Sequence, residues 1–135
     1  MRDPDCIFCK IVAGELPAQI VNEDERTIAF MDISPATRGH VLVVPREHSR
    51  DLLEIDPEDL KAAVSTAQRM AHRISERFGA DGVNLLNSSG RPAWQTVFHF
   101  HLHVIPRYHG DPLRLPWTPE QGDPEEIKQT AEALR

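Results

Sequence analysis

His99, His101 and His103 alternate with Phe98, Phe100, Leu102 and Val104. A period of two belongs to a β-strand, so the three imidazoles are expected on one face with Cα atoms about 6.5–7 Å apart. The four apolar side chains are expected on the other face, in the core. An imidazole is neutral near pH 7, is nucleophilic, and leaves readily once attached to phosphorus. Three on one face suit a metal centre built from ring nitrogens, or phosphorus chemistry with a histidine nucleophile. A second reactive pair lies near the other end of the chain, where Cys6 and Cys9, the only two cysteines, form a Cys-x-x-Cys pair. Redox use of that pair wants a thioredoxin-like βαβ setting, which this chain does not offer. A tetrahedral structural zinc wants two further ligands, usually histidines.

The elements that must position these groups are readable in outline. A short apolar turn, Ile7 to Val12, ends at Gly14. Ile20-Val21 and Thr27 to Met31 flank the charged tetrapeptide Glu23-Asp24-Glu25-Arg26, which predicts a hairpin. Gly39 to Val44 is β-branched and brief, predicting a strand buried on both faces and stopped by Pro45. One long helix is expected over Pro57 to Phe78, with Asp56 as its cap, Pro57 at its first position and Gly79 as its stop. Leu60, Val64, Ala67, Ala71, Ile74 and Phe78 make its apolar stripe. Two strands follow, Gly82 to Leu86 and Val97 to Ile105, joined by the polar loop Asn87 to Gln95. Beyond Ile105, five of the eleven prolines fall between Pro106 and Pro124, so an extended tail is expected there. A short terminal helix from Pro124 is capped by Asp123, with Ile127, Ala131 and Leu134 on one face.

Composition narrows the function. The 135 residues are 40% hydrophobic and 27% charged, the make-up of one soluble domain. The net charge of -6 argues against a nucleic-acid or anionic-membrane binder, whose footprint is a basic excess. Apolar runs are far short of the ~20 residues needed to cross a bilayer. The opening Met1-Arg2-Asp3-Pro4-Asp5 has no apolar signal-peptide core. A cytoplasmic protein is the expectation.

With those elements in place, His99-Phe100-His101-Leu102-His103-Val104-Ile105 resembles the defining motif of the histidine-triad (HIT) nucleotide hydrolases and transferases. Three more blocks resemble that family in order: Cys6 to Ala18, Phe30 to Pro35 and Arg38 to His48. The match spans about residues 6 to 108 and is nearer the Hint-like and bacterial Hit branches than the fragile-histidine-triad branch. His103 separates it from the galactose-1-phosphate uridylyltransferase branch, where that position is Gln.

The resemblance implies an α+β, HIT-like fold: a five-stranded antiparallel sheet with one long helix, a short N-terminal helix and an extended C-terminal tail. Residues 1–110 would form the catalytic domain and 111–135 its proline-rich tail and last helix. It implies His101 as the nucleophile at the α-phosphorus of a purine nucleotide, His103 as the flanking phosphate contact, and His40 as support from the neighbouring strand. Thr96 stands near the phosphate and leaving group, with Gln95 beside it. Asp32 resembles the carboxylate that takes the ribose hydroxyls, and Ile7, Phe8, Phe30 and Ile33 the slot for the base. Asn87, with Ser88 as the alternative, is expected on the phosphate. Cys6, Cys9, His48 and His99 would hold a structural zinc, leaving His99 outside the chemistry. Relatives pair as homodimers through the long helix and adjoining strand, and their post-triad segment lies near the partner subunit's site, which makes Trp117 a candidate to do likewise.

One departure precedes the triad. Gly90-Arg91-Pro92-Ala93-Trp94-Gln95 carries Trp94 where the family places Gly. His72, one position off the helix stripe, and His109, at the start of the tail, receive no role. The expected reaction is hydrolysis of an adenosine phosphoramidate, with a dinucleoside polyphosphate as the second substrate class. The rivals are a nucleotide-binding regulatory module and a zinc hydrolase that uses all three strand histidines as ligands.

Overall fold

The computed structural model describes residues 2–135. In chain order the elements are α1 (Ile7–Val12), β1 (Ile20–Glu23), β2 (Thr27–Met31), β3 (Val41–Pro45), α2 (Pro57–Phe78), β4 (Gly82–Leu86), β5 (Leu102–Arg107) and α3 (Pro124–Leu134). The strands form one sheet in the order β1-β2-β3-β5-β4. Every pairing is antiparallel.

The middle of the sheet is buried on both faces. Ala29, Val41, Val43, Phe100, Leu102 and Val104 pack with Ala63, Ala67, Met70 and Ile74 of α2 on one side. Ile28, Phe30, Leu42 and Val44 pack with Phe8, Cys9 and Ile11 of α1 on the other. Strand β3 belongs to both cores and is buried throughout, as its unbroken apolar run predicts.

Helix α2 begins and ends where its caps dictate. The Asp56 carboxylate accepts from the Glu58 N–H at 2.8 Å, and Gly79 closes the helix at φ 64°, a left-handed conformation that suits glycine. Its inward stripe differs from the expected one. Val64 and Phe78 are 44% and 39% exposed, while Ala63 and Thr66 are fully buried. Apolar stepping overlooks Thr66 because its side chain is polar. Its hydroxyl pairs with the Thr27 hydroxyl at 2.7 Å, so its burial leaves no polar group unmatched.

The last strand also departs from expectation. It starts at Leu102 rather than Val97 and runs on to Arg107. Its pairing with β3 covers only Leu102 to Val104. Upstream, the Phe100 N–H donates to the Ser49 carbonyl at 2.7 Å, in the loop after β3, so residues 98–101 follow a loop and not a strand. Phe100 is fully buried, but Phe98 is only half-buried and lies under the Arg91 guanidinium, not in the core. Pro106 falls inside β5 because β3 does not extend beside it. Its carbonyl accepts from the Thr37 hydroxyl instead.

The tail turns at Asp111, whose carboxylate binds the Arg107 guanidinium and the Tyr108 and Leu113 N–H groups. Helix α3 carries no buried residue, and Trp117 is 62% exposed. Among the described residues no helix is long and apolar enough to cross a membrane.

Candidate active site and metal centre

The irregular run before β5 sends its histidines to two destinations. His99 is wholly buried. Its Nε2–H donates to the Pro45 carbonyl at 2.8 Å, which leaves the Nδ1 lone pair facing the other way. That lone pair meets Cys6 Sγ at 3.4 Å, Cys9 Sγ at 3.5 Å and His48 Nδ1 at 3.3 Å. Cys9 Sγ lies 3.3 Å from His48 Nδ1. The cysteines come from the start of α1, where Cys6 caps the helix by accepting the Cys9 N–H on its sulfur.

These four side chains fit a zinc ion. Zn–N bonds of about 2.05 Å and Zn–S bonds of about 2.3 Å set tetrahedron edges of roughly 3.3 Å between nitrogens and 3.6 Å between nitrogen and sulfur. Burial pushes the Cys6 thiol pKa up and depresses His99 to about 4, so this pocket favours neutral groups until a cation compensates the thiolates. On the far side of His48, Nε2 lies 4.0 Å from the Asp3 carboxylate, the outer partner that orients many metal-bound imidazoles.

The second destination is a cavity of about 580 Å³ on the α1 face of the sheet. Of the residues expected around a nucleotide, Ile7, Phe8, Phe30, Asp32, Ile33, Thr96, His101 and His103 line it. Leu16, Pro17, Ala18, Leu42 and Val97 line it too and were not singled out from sequence. Leu42 sits opposite His103 in the β3–β5 register, and this pairing rests on a register that sequence patterning alone does not fix.

Within the cavity, the His101 Nδ1–H donates to the His99 carbonyl at 2.7 Å, leaving Nε2 unprotonated. The ring stands edge-on to Phe8 at 5.1 Å. Burial depresses the pKa values of both His101 and His103, the latter to about 4, so both rings are neutral at pH 7. His40 is buried behind His103, its Nε2 2.9 Å from His103 Nδ1 and 3.5 Å from Asp32 Oδ2. The other Asp32 oxygen accepts the Ser34 N–H at 2.8 Å, which fixes the carboxylate at the cavity edge.

Two expected nucleotide contacts have other partners. The Gln95 amide is buried and bonded to the Gly90 N–H and to the Arg50 and Val97 carbonyls, pinning the pre-triad loop. Asn87 donates to the His101 carbonyl at 3.0 Å and accepts from Ser89. Neither lines the cavity; both brace the backbone that carries His101. Trp94, the departure from the family pattern, takes a left-handed φ of 75° and stands 58% exposed.

The two destinations also decide one rival. His99 Nδ1 faces the thiols and His101 Nδ1 faces a carbonyl, so the three triad rings do not converge on a common ion.

Comparison with known proteins agrees with this layout. The HIT domain model matches residues 13–110. Protein hit of Bacillus subtilis is 40% identical over 133 residues, covering 96% of this chain and 92% of its own. A Streptococcus mutans protein of known crystal structure superposes with a TM-score of 0.93 at 39% identity, over 98% of this chain and 84% of that one. A zinc-bound histidine triad family protein from Mycobacterium smegmatis superposes with a TM-score of 0.79 at 40% identity, over 96% of this chain and 94% of that one. The alternating histidines, the five-stranded antiparallel sheet beside them and these relatives all lead to one assignment: the chain belongs to the HIT family.

Proposed function

We propose that this protein hydrolyses a purine nucleotide at its α-phosphorus through a nucleotidyl-histidine on His101, with an adenosine 5′-phosphoramidate as the favoured substrate. One observation carries the reading. The His101 Nδ1–H is held by the His99 carbonyl at 2.7 Å, so the free Nε2 lone pair belongs to a buried, neutral ring lining the cavity. In the first step Nε2 attacks phosphorus and the P–N bond to the amine breaks, its electron pair leaving with the amine, which takes up a proton from solvent. Water then attacks the phosphorus and gives up a proton to solvent, the P–N bond to His101 breaks, and nucleoside monophosphate departs with the imidazole restored. His103 contacts the phosphate, Thr96 faces the leaving group, and Asp32 takes the ribose hydroxyls. The apolar wall of Ile7, Phe8, Phe30 and Ile33 holds the base.

Cys6, Cys9, His48 and His99 would hold zinc in a closed, four-ligand shell. Bound there, zinc supplies structural cross-linking and no open coordination position. We also propose a homodimer. Strand β4 is a sheet edge, Leu85 and Leu86 on it are 49% and 36% exposed, and Val64 of α2 is 44% exposed.

A substrate panel of adenosine phosphoramidates, diadenosine polyphosphates and matched guanosine compounds tests the function. Highest kcat/KM on the phosphoramidates supports the reading, and preference for the polyphosphates replaces it with P–O cleavage. Tight monophosphate binding without turnover on any compound would make the protein a regulatory nucleotide binder.

A further inference from the structure

The loop between β2 and β3 folds back on its own histidine. The Asp32 N–H donates to the His40 carbonyl at 3.1 Å and the His40 N–H to the Thr37 carbonyl at 3.3 Å. Inside that closed loop the Ala36 N–H donates to His40 Nδ1 at 3.0 Å. A backbone N–H has only a proton to give, so Nδ1 must accept, and the single proton of a neutral imidazole then sits on Nε2. His40 Nε2–H has His103 Nδ1 before it at 2.9 Å, with Asp32 Oδ2 the more distant alternative at 3.5 Å. His103 Nδ1 therefore accepts as well, and its own proton is placed on Nε2, the nitrogen left for whatever occupies the cavity.

We infer that the Ala36 backbone N–H is a positioning group which, through His40, fixes His103 as an Nε2–H donor to a phosphate oxygen. His103 in this state donates a hydrogen bond to the developing charge and does not act as a base. The chain of consequences starts from a main-chain group outside the cavity.

The same accounting separates this cluster from a metal site it resembles. Asp32, His40 and His103 present ligand atoms within 4.8 Å of one another. An ion on His40 Nε2 would require a ring with both nitrogens unprotonated while Nδ1 still accepts from Ala36. A neutral imidazole has one lone pair, not two. The cluster is thus a hydrogen-bond relay and not an ion site.

The catalytic consequence rests on the function proposed above, but proton placement is measurable without turnover. On uniformly 15N-labelled, zinc-loaded protein, long-range 1H–15N correlations through the imidazole carbons distinguish the tautomers. His40 and His103 are both expected as Nε2–H with bare Nδ1; a proton on either Nδ1 overturns the inference. Replacing Ala36 with lactic acid turns one amide into an ester and deletes the donor while keeping the side chain. His40 is then expected to populate both tautomers, with kcat lowered on the order of tenfold, the effect of losing one hydrogen bond worth about 1.4 kcal/mol. Unchanged tautomers in the ester overturn the assignment of Ala36. Should the ester fail to fold, His40→Gln and His40→Ala provide the second comparison, because Gln keeps a donor near the Nε2 position. Gln is expected to retain at least tenfold more kcat than Ala, and the reverse order overturns the relay. Expected tautomers together with a silent substrate panel would reject the hydrolase reading and leave the relay standing.

Discussion

Two histidine clusters lie within one motif of each other, built from overlapping residue types, yet they are suited to opposite tasks. Around Cys6, Cys9, His48 and His99, the outer nitrogen of His99 is tied to a carbonyl, so its inner lone pair joins the sulfurs and His48 about a common centre. Around Asp32, His40, His101 and His103, His40 and His101 each have their Nδ1 engaged by main chain. There one nitrogen carries a proton while its neighbour accepts one. Residue type and spacing do not distinguish the clusters. The direction in which the backbone fixes each ring's proton does.

The largest expected effect falls on the second cluster alone. His101→Asn should lower kcat on the order of 10⁴-fold or more, as loss of a nucleophile does, while zinc content stays at one per chain. Metal loss in that variant would show that the clusters are not separable. Next comes the first cluster. Cys6→Ser with Cys9→Ser should abolish bound metal and lower Tm by about 10 °C or more, with kcat per folded molecule changed only several-fold. An unaltered melting curve would deny the cysteines a structural role.

Acid sharpens the contrast more gently. The folded pKa of His103 is about 4, lowered chiefly by burial, against about 6.5 in an unfolded chain. Between those values the unfolded state binds more protons, so stability is full above pH 6.5 and declines as the pH falls toward 4. Urea midpoints of metal-free protein across that window should fall with pH, and less steeply for His103→Gln. Equal slopes would remove His103 from the acid response. The smallest effect concerns the tail. Truncation after Leu113, which keeps the Asp111 turn, should leave Tm and metal content nearly unchanged, because α3 buries nothing in its own subunit, yet shift relative kcat/KM among leaving groups. Identical ratios across the panel would reduce the tail to a passive extension.

The hairpin, the two-faced burial of β3 and both ends of α2 were legible because each rests on local chemistry: turn residues, β-branching, caps and a left-handed glycine. The start of β5 was not. Alternation in Phe98 to Val104 is genuine, but a strand also needs a ladder partner, and the Phe100 N–H finds Ser49 instead. Thr66 escaped notice because burial of a hydroxyl depends on Thr27, 39 positions away. Gln95 and Asn87 are expected on the nucleotide from the family resemblance, and which main-chain groups their amides hold is a property of the folded loop. The grouping of Cys6 and Cys9 with two distant histidines came from family resemblance, since spacing within a chain carries no signal across such separations.

That separation has a temporal side. Cys9 and His99 are 90 positions apart, so a ribosome adding about 5–20 residues per second needs roughly 5–20 s to deliver the last ligand after the second thiol. Throughout that interval the cysteines are present without their final partner, and Phe8 of α1 lacks the His99 and His101 rings it packs against. The N-terminal segment is therefore made first and finished among the last. Closing a loop of about this length restricts the unfolded chain by roughly 4–5 kcal/mol in the chain-entropy treatment of a cross-link. A metal captured there would tie α1 to the segment just ahead of β5 only after the residues of β1 to β4 have all been made.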